Sequence, residues 1–192
     1  MFTYKSQCDL VRFLTPPQDF WQAEEAAGLL NSTKWPRLEY TKCVNGYADA
    51  IPSDPLHKFR CKNIDLYDFI NHATLGSPNT DYRGKSGSSS WGWTDPESGR
   101  EFVTTGMFDG VAFIEILPEG RMLNLGYLYA FATLLSNGAA HTDHPRSPKF
   151  GKIADRAYWT EIRSYKHYML IGSELEGNGV QIFDMKKLLD ID

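Results

Sequence analysis

No run of apolar residues in the 192-residue chain approaches the ~20 that a membrane-crossing helix needs. The longest, at 123–135, is broken by Asn124 and Gly126. A basic excess is lacking too. The formal charge is -4 with a pI near 5.7, and no Lys/Arg cluster is interleaved with aromatics, which sets aside a nucleic-acid surface. No Gly-rich phosphate loop precedes a helix, and Ser88–Ser90 has no nucleophile-elbow context. The first residues, MFTYKSQCDL, lack the basic region and apolar core of a secretory signal, so read alone they imply a cytosolic chain. Cysteine is sparse, with only Cys8, Cys43 and Cys61. Three such residues fit buried thiols, or one bridge and a leftover.

What is present is aromatic and β-prone: 42% hydrophobic and 14% aromatic residues, enough for one domain with a sizeable core. The chain is organised around residues 91–116, WGWTDPESGREFVTTGMFDGVAFIEI. Trp91 to Trp93 open an aromatic strand, and Asp95-Pro96-Glu97-Ser98-Gly99 supply turn chemistry. Residues 101–105 form a second strand, Asp109-Gly110 a hairpin turn, and residues 111–116 a third strand. A related stretch, WTEIRSYKHYMLIGSELEGNGVQIFDM, runs over residues 159–185. Trp91 and Trp159 stand 68 apart, Gly110 and Gly179 stand 69 apart, and Phe113 to Ile116 correspond to Ile182 to Met185. Such self-similarity predicts a repeat, and a four-stranded unit of about 40 residues has the size of a propeller blade.

These stretches, with LNLGYL at 123–128 and CVNGYADAIPSDPLHKFRCKNIDLYDFI at 43–70, resemble the choice-of-anchor B family, whose members carry LVIVD-type repeats. The resemblance covers roughly residues 41–128 and 158–189. It implies an exported β-propeller-like protein, held at the cell surface or released, and no reaction, catalytic residue or cofactor. Export in turn places the natural N-terminus outside this chain. In the resembled family two cysteines flank the opening segment in the same way, which implies a Cys43–Cys61 bridge around a Pro-, Gly- and Asp-rich loop, with Cys8 left over.

The expected fold is therefore mainly β: an incomplete propeller-like array of about two blades behind a small helical N-terminal segment. Residues 1–42 are an extension with a short strand at 9–14 and a helix at 18–30, started by Pro17. Residues 43–90 are a bridged loop and a linker, with 63–69 leading into the first sheet and 77–90 an exposed Gly/Ser-rich connection. Residues 91–128 are the first blade, and 122–128 its outer or connecting strand. Residues 129–157 are an atypical insert that lengthens the expected spacing by roughly 28 residues: a dispensable surface loop or retained intron sequence. Residues 158–192 are the second, truncated blade. Two blades do not close a ring, and unpaired edges invite association.

The remaining constellations have plain readings. Asn31-Ser32-Thr33 is a glycosylation sequon, of a kind frequent by chance. His141, Asp143 and His144 lack a further ligand, and the acidic loop at 173–179 lacks the EF-hand pattern, so no metal is assigned. Trp91, Trp93 and Trp159 are expected as packing anchors between sheets. Asp95 and Asp109 are expected to bond local backbone in turns. The expected role is a binding scaffold for an unknown protein or carbohydrate. The alternative is a secreted hydrolase using carboxylates near Asp95 and Asp109, which would have to share one concave pocket.

Overall fold

The computed structural model describes residues 23–29, 31–77, 85–129, 160–174 and 179–191. The chain divides into two units, Met1–Pro36 and Arg37–Asp192. In the first, residues 23–26 are helical, and the helix ends four residues earlier than expected. Gly28 takes φ 69°, its N–H reaches Glu25 O at 2.8 Å, and Leu29 N–H reaches Glu24 O at 3.0 Å. This is the left-handed C-terminal stop that glycine permits. A 3-10 turn, Ser32–Lys34, follows. The expected strand at 9–14, residues 18–22 of the expected helix and Cys8 lie outside the described residues.

The second unit is built of antiparallel hairpins. β1 (Tyr47–Asp49) pairs with β2 (Lys58–Arg60). β3 (Gly87–Thr94), β4 (Glu101–Met107), β5 (Gly110–Ile116) and β6 (Met122–Tyr129) form one meander in that order. β7 (Thr160–Tyr165), β8 (Tyr168–Ser173) and β9 (Val180–Asp184) form another. The fold is thus mainly β, as its β-branched and aromatic strands require.

Several expectations are corrected. The segment 43–65 is not simply a loop, because it contains the β1–β2 hairpin. Residues 63–69 do not enter the first sheet. Leu66 and Phe69 instead bridge back to Thr41 and Leu38. The linker is shorter than expected: Gly87 to Ser90 already belong to β3, across a bulge between Gly87 and Ser90, and Ser77 Oγ donates to the buried Asp109 at 2.7 Å. Asp109-Gly110 is not the hairpin turn either. Met107 pairs with Gly110, so Phe108 and Asp109 form the turn. Glycine serves β6 instead: a Cβ at Gly110 would lie 2.3 Å from Leu128 O and 2.6 Å from the Tyr127 ring. Residues 130–159, including Trp159 and nearly all of the expected insert, lie outside the described residues.

β5 is buried along almost its whole length because both of its faces are covered. On one face Val111 and Phe113, with Trp93 and Phe102, meet Ile162, Met169 and Ile171 of the second meander. Met185 and Leu188, from the 3-10 turn Met185–Leu188 that Asp184 caps, complete this cluster. On the other face Ala112 and Ile114 pack with Leu75 and Met107. Gly106 allows close approach of the two sheets, since a Cβ there would lie 3.2 Å from the Thr160 Cβ. Thr160 N–H donates to Ser88 Oγ at 3.0 Å, joining β7 to β3. Arg100 ties the far end of this packing. It holds Glu115 through both carboxylate oxygens, at 2.7 and 2.8 Å, and donates to Leu189 O at 2.9 Å.

Candidate functional site

The site grows from a four-residue pattern, Val44-Asn45-Gly46-Tyr47. Asn45 at φ 51° and Gly46 at φ 85° supply the two left-handed residues of a tight hairpin turn. Val44 and Tyr47 close it with hydrogen bonds of 2.8 and 3.1 Å. The chain returns through β2 and docks Cys61 N–H on Gly46 O at 3.0 Å. Cys43 and Cys61 are joined in a disulfide, with their Cα atoms 5.9 Å apart.

Asp65 holds the other side of the bridge. One carboxylate oxygen accepts from Cys43 N–H at 2.8 Å and the other from the Tyr40 hydroxyl at 2.9 Å. The Cys43 N–H, and then the Tyr40 hydroxyl, keep this carboxyl below the usual range; Asp65 in turn raises the Tyr40 hydroxyl. The Tyr40 and Tyr67 rings meet edge to face at 5.2 Å, and both are more than half exposed. The arm is anchored to the first meander by Asp68, which accepts from Arg37 at 2.5 and 3.2 Å and from Met122 N–H at 2.8 Å. Burial opposes ionisation of Asp68, but Arg37, Met122 N–H and Phe69 N–H outweigh it and hold the carboxyl below its ordinary value.

Beside the bridge lies an open cleft of about 740 Å³. Lys42 precedes one bridged cysteine and Lys62 follows the other, and both line the cleft with Asn45, Asn63, Ile64 and Tyr67. Among the described residues, Asp65 is the only acidic one on its walls.

The other singled-out residues separate. Asp95 and Asp109 are 1% and 2% exposed. Asp95 is a turn residue: Ser98 donates to it from hydroxyl and backbone at 2.6 and 2.8 Å, and these two bonds depress its carboxyl. Asp109 departs from expectation, because it binds side chains distant in sequence, Ser77 Oγ and the Tyr127 hydroxyl. Burial, then Asp109, pushes that hydroxyl far up. The two aspartates flank opposite ends of β4, whose seven residues span about 20 Å, well beyond the separation of a glycosidase pair.

Trp93 is a packing anchor, stacked 5.5 Å from Phe102. Trp91 is not. It is 38% exposed, donates to Ser164 Oγ at 2.9 Å and lies beneath the Arg163 guanidinium at 4.6 Å. Gly110 opens β5 and Gly179 immediately precedes β9, each the third strand of its meander. Asn31 is exposed and its side chain accepts from Thr33 N–H and hydroxyl at 3.1 and 3.0 Å. His141, Asp143 and His144 lie outside the described residues. Among the described residues no three His, Cys, Asp or Glu converge as a metal set, and no helix is long and apolar enough to cross a membrane.

Sequence reasoning missed Asp65, Tyr40 and Tyr67, which meet only when residues 38–44 and 61–69 return alongside each other. The Asn45-Gly46 dipeptide, between Val44 and Tyr47, was the signal for half of that return. Compared with family models, with curated proteins and with solved structures, the chain matches none.

Proposed function

We propose that this chain is part of an exported, β-propeller-like binding protein of the choice-of-anchor B kind, with no catalytic role. The observation that carries the reading is the cleft bordered by the Cys43–Cys61 disulfide. A disulfide persists in oxidising compartments and is rare in the cytosol, so it favours an exported chain. The cleft walls carry exposed aromatic, amide and ammonium groups, which suit recognition rather than turnover.

The propeller-like part of the reading draws on two successive antiparallel meanders that pack face to face, each with Gly-Val at its third strand. The outer face of the second meander exposes Val180 and Ile182, each at 65%, beside Tyr165 and Tyr168, which suits packing of a further sheet. Ligands bind propellers through their loops, and here that remains an analogy of fold.

The test is the location of the protein expressed from its natural transcript with a C-terminal epitope tag. Staining of unpermeabilised cells, or recovery from the medium, is the expected result. Confinement to the cytosol with reduced Cys43 and Cys61 would overturn the proposal.

A further inference from the structure

We propose that the cleft beside the Cys43–Cys61 bridge binds an anionic carbohydrate chain, an inference that rests on the reading of this protein as a binding module. Charge is the first argument. The chain carries a net -4, yet two lysines flank the bridge, one on each arm. Neither Lys42 nor Lys62 makes an ion pair within 4.0 Å among the described residues. Asp65, the acid on the same walls, has an oxygen on Cys43 N–H and another on the Tyr40 hydroxyl, and these bonds act on its carboxyl ahead of the weaker attraction of the nearby Lys42 ammonium.

The neutral groups select the class of anion. Asn45 and Asn63 line the cleft on residues held at φ 51° and 58°. Their side chains make no hydrogen bond among the described residues, which leaves donors and acceptors for sugar hydroxyls. Tyr67, 54% exposed on the same wall, presents a ring on which the C–H face of a pyranose can lie. The ring has no room to retreat toward the β5–β6 turn, where even a Cβ on Gly120 would come within 2.5 Å of it.

A volume of about 740 Å³ falls within the size range of small-molecule pockets, about 300–1,000 Å³. It accommodates a short oligosaccharide with carboxylate or sulfate groups toward Lys42 and Lys62. An acidic peptide would require an enclosed apolar pocket for an anchoring side chain, and the apolar Ile64 here stands 73% exposed. A nucleic acid would require a longer basic track than two lysines.

The experiment titrates the purified, disulfide-intact chain by calorimetry with heparin, polygalacturonate, dextran, polyglutamate and a single-stranded oligonucleotide. Binding of heparin or polygalacturonate is expected, with none of dextran, and the two anionic glycans separate sulfate from carboxylate recognition. The K42A/K62A double variant should bind at least about tenfold more weakly, each lysine supplying a charge-assisted contact. Tyr67→Ala should also weaken binding, whereas Lys187→Ala, at a residue that does not line the cleft, should not. Circular dichroism and non-reducing mass establish that each variant is folded and bridged. The proposal is overturned if neither anionic glycan binds, if the double variant binds them unchanged, or if polyglutamate or the oligonucleotide binds as tightly. Because binding is read on purified protein, its failure is separate from a failure of export.

Discussion

Replacing Arg100 by Met should destabilise the second unit strongly, because one side chain closes the β3–β4 turn, β5 and the C-terminal segment together. Its guanidinium donates to both Glu115 oxygens, to Leu189 O at 2.9 Å and to Ile191 O at 3.4 Å. The Glu115 side chain is 10% exposed and that of Arg100 29%. Breaking a buried pair by removing one partner costs about 3–5 kcal/mol. Partial exposure of Arg100 lowers the expectation to roughly 2–3 kcal/mol. For a chain of this size that corresponds to a fall in Tm of about 4–12 °C.

The double variant R100M/E115M separates lost pairing from lost packing. It should recover at least about 1 kcal/mol, since no carboxylate is then left buried without a cation. Arg100 also holds the Glu115 carboxyl below its ordinary value of 4.5. That contribution is fully present above pH 4.5 and is lost as the pH falls through the depressed value. R100M should therefore lose less further stability than the wild type between pH 5 and pH 3. Thermal unfolding of the three proteins across this range is the assay. A single variant within about 0.5 kcal/mol of wild type, or a double variant worse than the single, would refute the reasoning.

Gly110→Ala should cost about 2 kcal/mol or more, because its Cβ would meet the Leu128 carbonyl at 2.3 Å. Gly99→Ala, at φ 72° with nothing within 4 Å, should cost only about 1 kcal/mol, and denaturant midpoints should rank the two in that order. Phe102→Ala should cost about 3–5 kcal/mol in the same measurement, since Phe102 is 1% exposed and stacks on Trp93 where the sheets meet. Below the ordinary aspartate value of 3.8 the Asp65 ties to Cys43 and Tyr40 should loosen first around the cleft, because their stabilisation is lost as the pH falls through the depressed value. Hydrogen exchange at Cys43 N–H should rise there in the wild type and should already be raised at pH 7 in Asp65→Ala.

Local chemistry carried much of the fold. The β-branched run at 101–105 and the alternation at 111–116 predict β4 and β5, and the structure extends the first only as far as Met107. Pairings across long sequence distances were not legible. Trp91 and Trp93 have the same type and parity in one strand, yet only Trp93 reaches the cluster formed with Ile162 and Met169. Trp91 lies at its rim, where Ser164 and Arg163 of β7 receive it. Asp109 is a turn residue, as a carboxylate beside glycine suggests, but its carboxylate reaches Ser77 and Tyr127. Nothing in its spacing points to Ser77 or Tyr127. The cleft was hidden for the same reason. A Pro-, Gly- and Asp-rich composition suggests an irregular loop, and Asp65 acquires its role only after residue 41 has paired with residue 66.

The most direct test of the account is non-reducing peptide mapping of the protein recovered from the cell surface or medium. The account predicts a Cys43–Cys61 cross-linked peptide at near-full occupancy, lost on reduction together with glycan binding at the cleft. Free thiols at both positions in protein that is otherwise folded would contradict it.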